Sequence, residues 1–355
     1  DLIDKNKSEA LLEELKSMNF NVIVGNPPYQ VMATGDANGS DPIYHLFIDF
    51  ACRLDDRISF IHPARFLFNA GKTPKDWNSK MLNDEHFKVQ KYWADSAKVF
   101  PDVDIKGGIA ITYYGKYERF DKIGTFVAYE PLNTALAKIL RKGKFTSLSK
   151  IIYPENKFNL SVLYEDYPYC KTIIGSDGKD KRFRSNAFEK LDVFKENPSE
   201  DDVVIHGLIK NNRVIRYIKK KYLESNISFE KYKVLVPQAN GTGRLGETLS
   251  TPMIGEPAVG FTGSFIGIGA FDTKEEAKNC MKYINTKFAR AMLGTLKTTQ
   301  HNEKATWANV PLQDFTQNSD IDWTKSIPEI DAQLYAKYGL SAKEVEFIEK
   351  NVKAM

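Results

Sequence analysis

The chain has 355 residues, 42% hydrophobic and 27% charged, an ordinary globular composition long enough for two domains, or two plus a tail. No apolar run approaches the ~20 residues of a membrane-spanning helix, which excludes a helical membrane protein, and the charged start (residues 1–7) lacks the apolar stretch of a signal peptide. The 50 Lys and Arg against 46 Asp and Glu leave a formal +4, too small to decide on a nucleic-acid partner, and three scattered cysteines (Cys52, Cys170, Cys280) exclude a disulfide framework and point to a reducing, cytoplasmic setting.

In chain order, residues 8–18 place Leu11, Leu12 and Leu15 at helical spacing, with Asn19 just past the end. Residues 20–24 are a short apolar run with branched side chains and predict a buried strand, followed by Gly25-Asn26-Pro27-Pro28-Tyr29. A helix, a buried strand and a loop at its C-terminal end mark an α/β sheet, and open α/β sheets bind ligands at that end. Residues 30–41 are a Gly-, Asp- and Asn-rich loop. Pro42 then opens a helix with Tyr44, Phe47, Ile48 and Ala51 on one face. Residues 58–61 predict a second buried strand ending at His62-Pro63, residues 69–80 a mobile loop, and residues 89–93 and 109–114 further strands. Gly115-Lys116 and residues 124–129 predict a closing antiparallel hairpin.

Near residue 130 the βα alternation stops. A helix over 132–140 ends in basic residues, and residues 175–186 and 238–251 are polar, Gly-rich loops. Residues 207–233 carry eight Lys and Arg against two Glu. Residues 273–293 return to a helix, and residues 330–353 read as two short helices joined at Tyr338-Gly339-Leu340. The expected division is a catalytic part over residues 1–130, a second domain over 131–315 and a helical tail over 316–355.

The tetrapeptide Asn26-Pro27-Pro28-Tyr29 carries the most chemistry. An exocyclic amine on a base is a poor nucleophile because its lone pair is delocalised into the ring. Two acceptors aimed at its two N–H groups favour a pyramidal nitrogen and free that lone pair to attack a methyl donor. The Asn26 side-chain oxygen offers one acceptor and the Pro27 carbonyl the other, on a backbone stiffened by two prolines. This is stabilisation of developing charge by a preorganised site and needs no strong base. The Tyr29 ring offers a stacking surface worth ~1–3 kcal/mol, comparable to the cost of extruding a base from a duplex.

At these residues the chain resembles the amino DNA methyltransferases, whose catalytic motif is an Asn-Pro-Pro-Tyr loop; Asn in first place implies adenine N6 rather than cytosine N4. Ile43-Tyr44-His45-Leu46-Phe47-Ile48 and the stretch from Ile58 to Leu67 are similar to the helix, strand and proline loop that follow. The stretch from Val99 to Ile109 is similar to the later active-site motif, which implies Phe100 as a second stacking residue. Residues 20–115 carry the likeness, and Leu334 to Leu340 are similar to the tail of the same proteins. The implied fold is α/β: part of a Rossmann-like S-adenosylmethionine-dependent methyltransferase sheet, then an α+β target-recognition domain. The chain is most like the C-terminal half of restriction–modification methylases in the gamma arrangement. The implied cofactor is S-adenosyl-L-methionine and the implied partner double-stranded DNA. The family's donor-binding Phe-x-Gly-x-Gly turn precedes the catalytic loop in that arrangement. Only 25 residues precede Asn26, and none forms such a turn. The donor site is therefore expected in an upstream portion of the same polypeptide, together with any nuclease domain. Phe265-Ile266-Gly267-Ile268-Gly269 fits the pattern, but it reads better as a glycine-containing bend in a β-rich domain.

Candidate DNA contacts in the basic segment are Arg213, Arg216, Lys219, Lys220 and Lys221, interleaved with Tyr217 and Tyr222. Lys179, Lys181, Arg182, Arg184 and Asn186 lie in one Gly-rich loop; Gln238, Asn240 and Arg244 lie in another. Arg suits guanine, and Asn or Gln suit adenine. Residues 298–302 are a further polar loop. His62 reads as structural or pocket-lining, Cys52 as core, and Trp307 and Trp323 as core anchors. No metal site is expected. Two other functions stay open: a DNA-recognition module without independent catalysis, and an enzyme that methylates RNA or a protein glutamine amide.

Overall fold

The computed structural model describes residues 5–18, 20–31, 41–69, 71–102, 105, 107–174, 181–297 and 299–355. It is a mixed α/β protein of two compact units, Asp1–Ala128 and Tyr129–Met355.

The first unit contains α1 (Lys5–Lys16), β1 (Ile23–Gly25), β2 (Gln30–Val31), β3 (Asp41–Pro42), α2 (Tyr44–Leu54), β4 (Arg57–Pro63), α3 (Lys75–Asn83), β5 (Phe87–Trp93) and β6 (Ile109–Gly115). Its main sheet has the order β1-β4-β6-β5. β1 runs parallel to β4, and β6 runs antiparallel between β4 and β5. Alternation on β4 turns Ile58, Phe60 and His62 inward. α2 buries Tyr44, Ile48 and Ala51, spaced as one helical face, against that side. Phe66, Trp77, Met81 and Phe87 complete the core.

Three expectations change here. The apolar run 20–24 is not a buried strand: Val22 is 50% and Val24 70% exposed. β1 is an edge strand among the described residues; Ile23 packs on the core, while Val22 and Val24, on the opposite face by alternation, are exposed. The loop expected over 69–80 gives way to a helix, because Pro74 ends the extended approach and Trp77 and Met81 fall one turn apart on a buried face. Residues 124–129 form no strand, since β6 already has β4 and β5 on its two edges.

The second unit contains α4 (Glu130–Arg141), β7 (Ile152–Tyr153), α5 (Leu160–Asp166), α6 (Cys170–Ile173), α7 (Ala187–Lys190), β8 (Asp202–Ile209), β9 (Asn212–Lys219), β10 (Tyr232–Pro237), β11 (Met253–Gly255), β12 (Val259–Phe261), β13 (Phe265–Phe271), α8 (Lys274–Asn285), α9 (Lys287–Gly294), α10 (Ile327–Tyr338) and α11 (Ala342–Asn351). An antiparallel sheet β11-β10-β13-β7 lies at its centre. A second sheet, β12-β8-β9, holds the long β8–β9 hairpin. Its two turn residues, Lys210 and Asn211, both have positive φ, 48° and 65°, the twist a two-residue hairpin needs.

The Phe265–Gly269 stretch is an interior strand rather than a ligand-binding turn. A Cβ on Gly267 would lie 2.8 Å from the Phe261 ring, so glycine there serves packing. The helix expected over 273–293 is two helices. Thr286 ends α8 and caps α9, its hydroxyl accepting the Ala289 N–H at 3.1 Å. The Asp331 carboxylate accepts the Lys287 and Phe288 N–H groups at 3.0 and 2.8 Å. α10 and α11 turn about Gly339 at φ 63°, at the junction the sequence indicated.

Candidate active site

β1 carries the Asn-Pro-Pro-Tyr loop at its C-terminal end. Gly25 pairs with Phe60 of β4, and a Cβ there would sit 3.3 Å from the Phe60 ring. The strand therefore lies tight on β4 up to the residue before Asn26. Beyond the prolines, the Tyr29 carbonyl accepts the Ile43 N–H at 3.1 Å, and the β2–β3 ladder follows. Both ends of the tetrapeptide are thus tied to β4 and to the entrance of α2. Asn26 and Pro28 are exposed and Pro27 is buried. Among the described residues no hydrogen bond uses the Pro27 carbonyl.

Tyr29 opens onto a cavity of about 350 Å³, lined also by Tyr44, Pro63, Arg65, Lys72 and Thr73. That volume is at the lower end of small-molecule sites. The cavity sits beside the C-terminal ends of β1 and β4, where open α/β sheets bind ligands. The Tyr29 hydroxyl is buried and, among the described residues, makes no well-formed hydrogen bond, its polar neighbour being the Asn26 side chain. Burial raises its pKa, and the neighbouring Asn26 amide opposes the rise. Tyr44 forms another wall, its phenol pushed up to about 12 by burial, with Thr73 opposing.

Behind Tyr44 lies His62, fully buried, its ring parallel to the Tyr44 ring within 4° at a centroid distance of 5.4 Å. His62 Nε2 lies 2.7 Å from the Thr112 hydroxyl and Nδ1 3.1 Å from the Pro63 carbonyl. Burial pulls its pKa down to about 4, so the ring is neutral at pH 7. A carbonyl only accepts, which puts the proton on Nδ1 and leaves Nε2 to accept from Thr112. His62 thus positions Tyr44 and Pro63 and is not poised as an acid or base. Gly107 has φ +91°, and a Cβ there would sit 2.6 Å from Arg65 Cγ, so glycine lets the backbone approach the Arg65 stem.

The structure does not bring Phe100 to this cavity. It is half-buried, and its N–H donates to the Ser96 carbonyl at 2.8 Å. Tyr44, Arg65 and Lys72 line the site without having been singled out for it; only Tyr44's place on an apolar helix face was legible.

In the second unit, Arg182, Arg184 and Gln238 share a cavity of about 430 Å³ with Asn186, Lys190 and Gly263. The other candidate DNA contacts are dispersed. Arg216 pairs with Glu196 at 2.7 Å and Lys220 with Glu230 at 3.0 Å. Lys181 pairs with Glu224 and Lys221 with Asp166. Arg213 donates to the Thr251 carbonyl and lies over the Phe265 ring. Lys219 is half-buried on β9. Asn240 is buried and its amide is spent within its own loop, donating to the Thr248 carbonyl at 2.7 Å and accepting the Ser250 N–H at 2.6 Å. Arg244 lines a separate crevice with Glu247 and Arg290. Lys179 and Thr298 lie outside the described residues. Asn302 is buried, donating to the Pro237 carbonyl at 2.9 Å. Trp307 and Trp323 are buried as expected. Among the described residues no group of acidic, His or Cys side chains could hold a metal ion, and no helix is long and apolar enough to cross a membrane.

Residues 2–100 match the model of the Eco57I restriction-modification methylase family. A protein of Mycoplasma pneumoniae described as an uncharacterized adenine-specific methylase is 30% identical over 135 residues, covering 37% of this chain. The chain spans 29% of that protein's length. Among solved structures, the type IIG restriction endonuclease BpuSI superposes with a TM-score of 0.36 at 12% identity, over 95% of this chain and 54% of that one. The type IIL restriction-modification enzyme MmeI, solved in complex with DNA, gives 0.40 at 9% identity, over 96% and 57%. Residues 2–100 are thus similar in sequence to restriction-modification methylases, the class to which the catalytic-loop motif pointed.

Proposed function

We propose that this chain supplies the adenine-holding and target-reading parts of a site-specific DNA adenine-N6 methyltransferase from a restriction–modification enzyme. The carrying observation is the tetrapeptide itself: its two ends are tied down, and its tyrosine opens onto a cavity beside the strand ends. A flipped adenine enters that cavity against Tyr29. Its amine gives its two N–H bonds to the Asn26 side-chain oxygen and the Pro27 carbonyl, and the nitrogen lone pair turns outward. Phe100 is proposed as the second stacking surface, which requires its ring to move over the base.

The sheet, with β6 reversed beside parallel neighbours, fits one half of a Rossmann-like methyltransferase sheet. The target-recognition part is assigned to residues 131–315, with 316–355 as its helical tail, and double-stranded DNA is the proposed substrate. In this family the methyl group comes from S-adenosyl-L-methionine. Among the described residues no glycine-rich turn follows a parallel strand: β4 ends in His62-Pro63-Ala64 and β5 in Trp93-Ala94. The residues seen do not fit a donor site, so its binding is assigned to an upstream portion of the polypeptide. The uncovered β1 edge, with Phe20, Val22 and Val24 exposed, supports that assignment.

The test is methyl transfer to duplex DNA by the intact protein with Asn26→Ala. Loss of transfer with DNA binding kept supports the reading, and undiminished activity refutes it. The same open edge favours a second reading, in which this chain alone recognises DNA without catalysis. Methyl transfer by the intact protein decides between the two, and calorimetry with S-adenosylmethionine tests what they share: tight binding to the 355-residue chain would exclude both this reading and an upstream donor site. Comparing label uptake by DNA, RNA and protein tests the substrate: label in DNA alone is expected, and label in RNA or protein would overturn it.

A further inference from the structure

The larger cavity lies in the second unit, and its walls are stiff. Phe183 is fully buried, which turns its neighbours Arg182 and Arg184 to the exposed side. The Phe183 N–H donates to the Asn156 carbonyl at 2.8 Å, and its carbonyl accepts the Gly263 N–H at 2.7 Å. The two arginines therefore project from a backbone pinned on both sides. Gln238 faces them from the end of β10, a central strand of the antiparallel sheet. Its N–H donates to the Ser264 carbonyl at 2.9 Å, and its carbonyl accepts the Asn302 N–H at 2.7 Å. Pro237, the last residue of β10, has its own φ fixed by its ring. The Gln238 side chain is half-buried and makes no hydrogen bond among the described residues.

A long amide held without an internal partner on a rigid strand end is a donor and acceptor presented outward. An anion site would gather cations alone, but this cavity also contains the Glu155 carboxylate, 3.7 Å from Arg182 Nε. Neutral amide plus guanidinium is the set that matches base edges: Gln bidentate to adenine, Arg to guanine. The neighbouring element has suitable dimensions. The β8–β9 ribbon is anchored beside the cavity, because Arg213 lies over the Phe265 ring and Phe265 pairs with Pro237. A two-stranded ribbon fits a major groove. Ion pairs already occupy Arg216, Lys220 and Lys221.

We propose that Gln238 is a specificity-determining residue that reads an adenine edge in the recognition sequence, with Arg182 and Arg184 alongside it. The assignment rests on DNA being the substrate, as proposed above, and is independent of where the methyl group goes.

The experiment is selection of bound duplexes from a random library by the intact protein, followed by sequencing. The wild type should select a motif containing an adenine that Gln238→Ala no longer demands, its preference falling roughly ten-fold. Gln238→Glu, equal in size, accepts from cytosine and should shift that one position toward cytosine. The salt dependence of binding should not move, because no phosphate-bound cation is removed. An unchanged motif in both variants overturns the proposal, and so does a wild type that selects no sequence. If Gln238 governs selection yet the selected duplex is never methylated, this assignment stands and the proposed activity falls.

Discussion

Replacing Tyr29 by Phe and by Ala separates what its ring does from what its hydroxyl does. Tyr29 lines the cavity at the strand ends, whereas its hydroxyl is buried and, among the described residues, makes no well-formed hydrogen bond. A buried polar group without a hydrogen bond costs ~1–3 kcal/mol. Tyr29→Phe removes that cost and should leave stability equal or ~1 kcal/mol higher, with methyl transfer retained. Tyr29→Ala removes the stacking surface, worth ~1–3 kcal/mol, so kcat/KM for duplex DNA should fall roughly 5- to 150-fold. The loss should shrink when the target adenine faces a mismatch, because less stacking energy is then needed to extrude it. The assay is methyl transfer by the intact protein, alongside the fluorescence of a base analogue at the target position. If Tyr29→Phe loses as much activity as Tyr29→Ala, the hydroxyl and not the ring is what matters. If Tyr29→Ala loses nothing, no base stacks there.

Two predictions concern stability. The His62 pKa falls from 6.5 to about 4 on folding, so the unfolded chain binds the extra proton between these values and acid destabilises the fold. The contribution is complete above pH 6.5 and is lost as pH falls to about 4, a change of roughly 3 kcal/mol. His62→Phe keeps an aromatic against Tyr44 but cannot titrate; denaturant unfolding at pH 7 and pH 4.5 should show a flatter dependence than the wild type, and equal slopes would refute it. Thr286→Ala removes a hydroxyl that caps α9 and also donates to the Tyr283 carbonyl at 2.7 Å; it should cost about 1–2 kcal/mol of unfolding free energy in denaturant titrations.

Local periodicity made α2, β4, β5, β6 and the paired C-terminal helices legible, because each repeats apolar residues at its own period. Where the sequence misled, the deciding information was non-local. A run such as residues 20–24 has the same pattern whether both of its faces are covered or one is bare. Residues 124–129 have strand composition, but the edges of β6 were already taken. The basic segment showed its cations and not their partners: Glu196 precedes Arg216 on another segment, and Glu230 follows Lys220 across a turn. Asn240 looked like a base reader because nothing local reveals that its loop folds back on it. At the first site, the tetrapeptide was legible as a motif, but Arg65 and Lys72 reach the cavity beside it only through the loop after β4.

The open side of β1 and the fixed geometry of its loop are compatible because they rest on different contacts. Every tie that sets the tetrapeptide comes from within the first unit: the parallel ladder to β4, the Phe60 ring against Gly25, and the bond from Ile43 to the Tyr29 carbonyl. None uses the other edge of β1, which pairs with no strand among the described residues. The loop is thus held in place although Phe20, Val22 and Val24 are exposed. In the proposed enzyme this divides one strand between two tasks. Its inner edge positions the acceptors for the amine, and its outer edge joins the polypeptide that brings the methyl donor. The catalytic loop then lies at the seam between base and donor, which is where an in-line attack requires its two acceptors to be rigid.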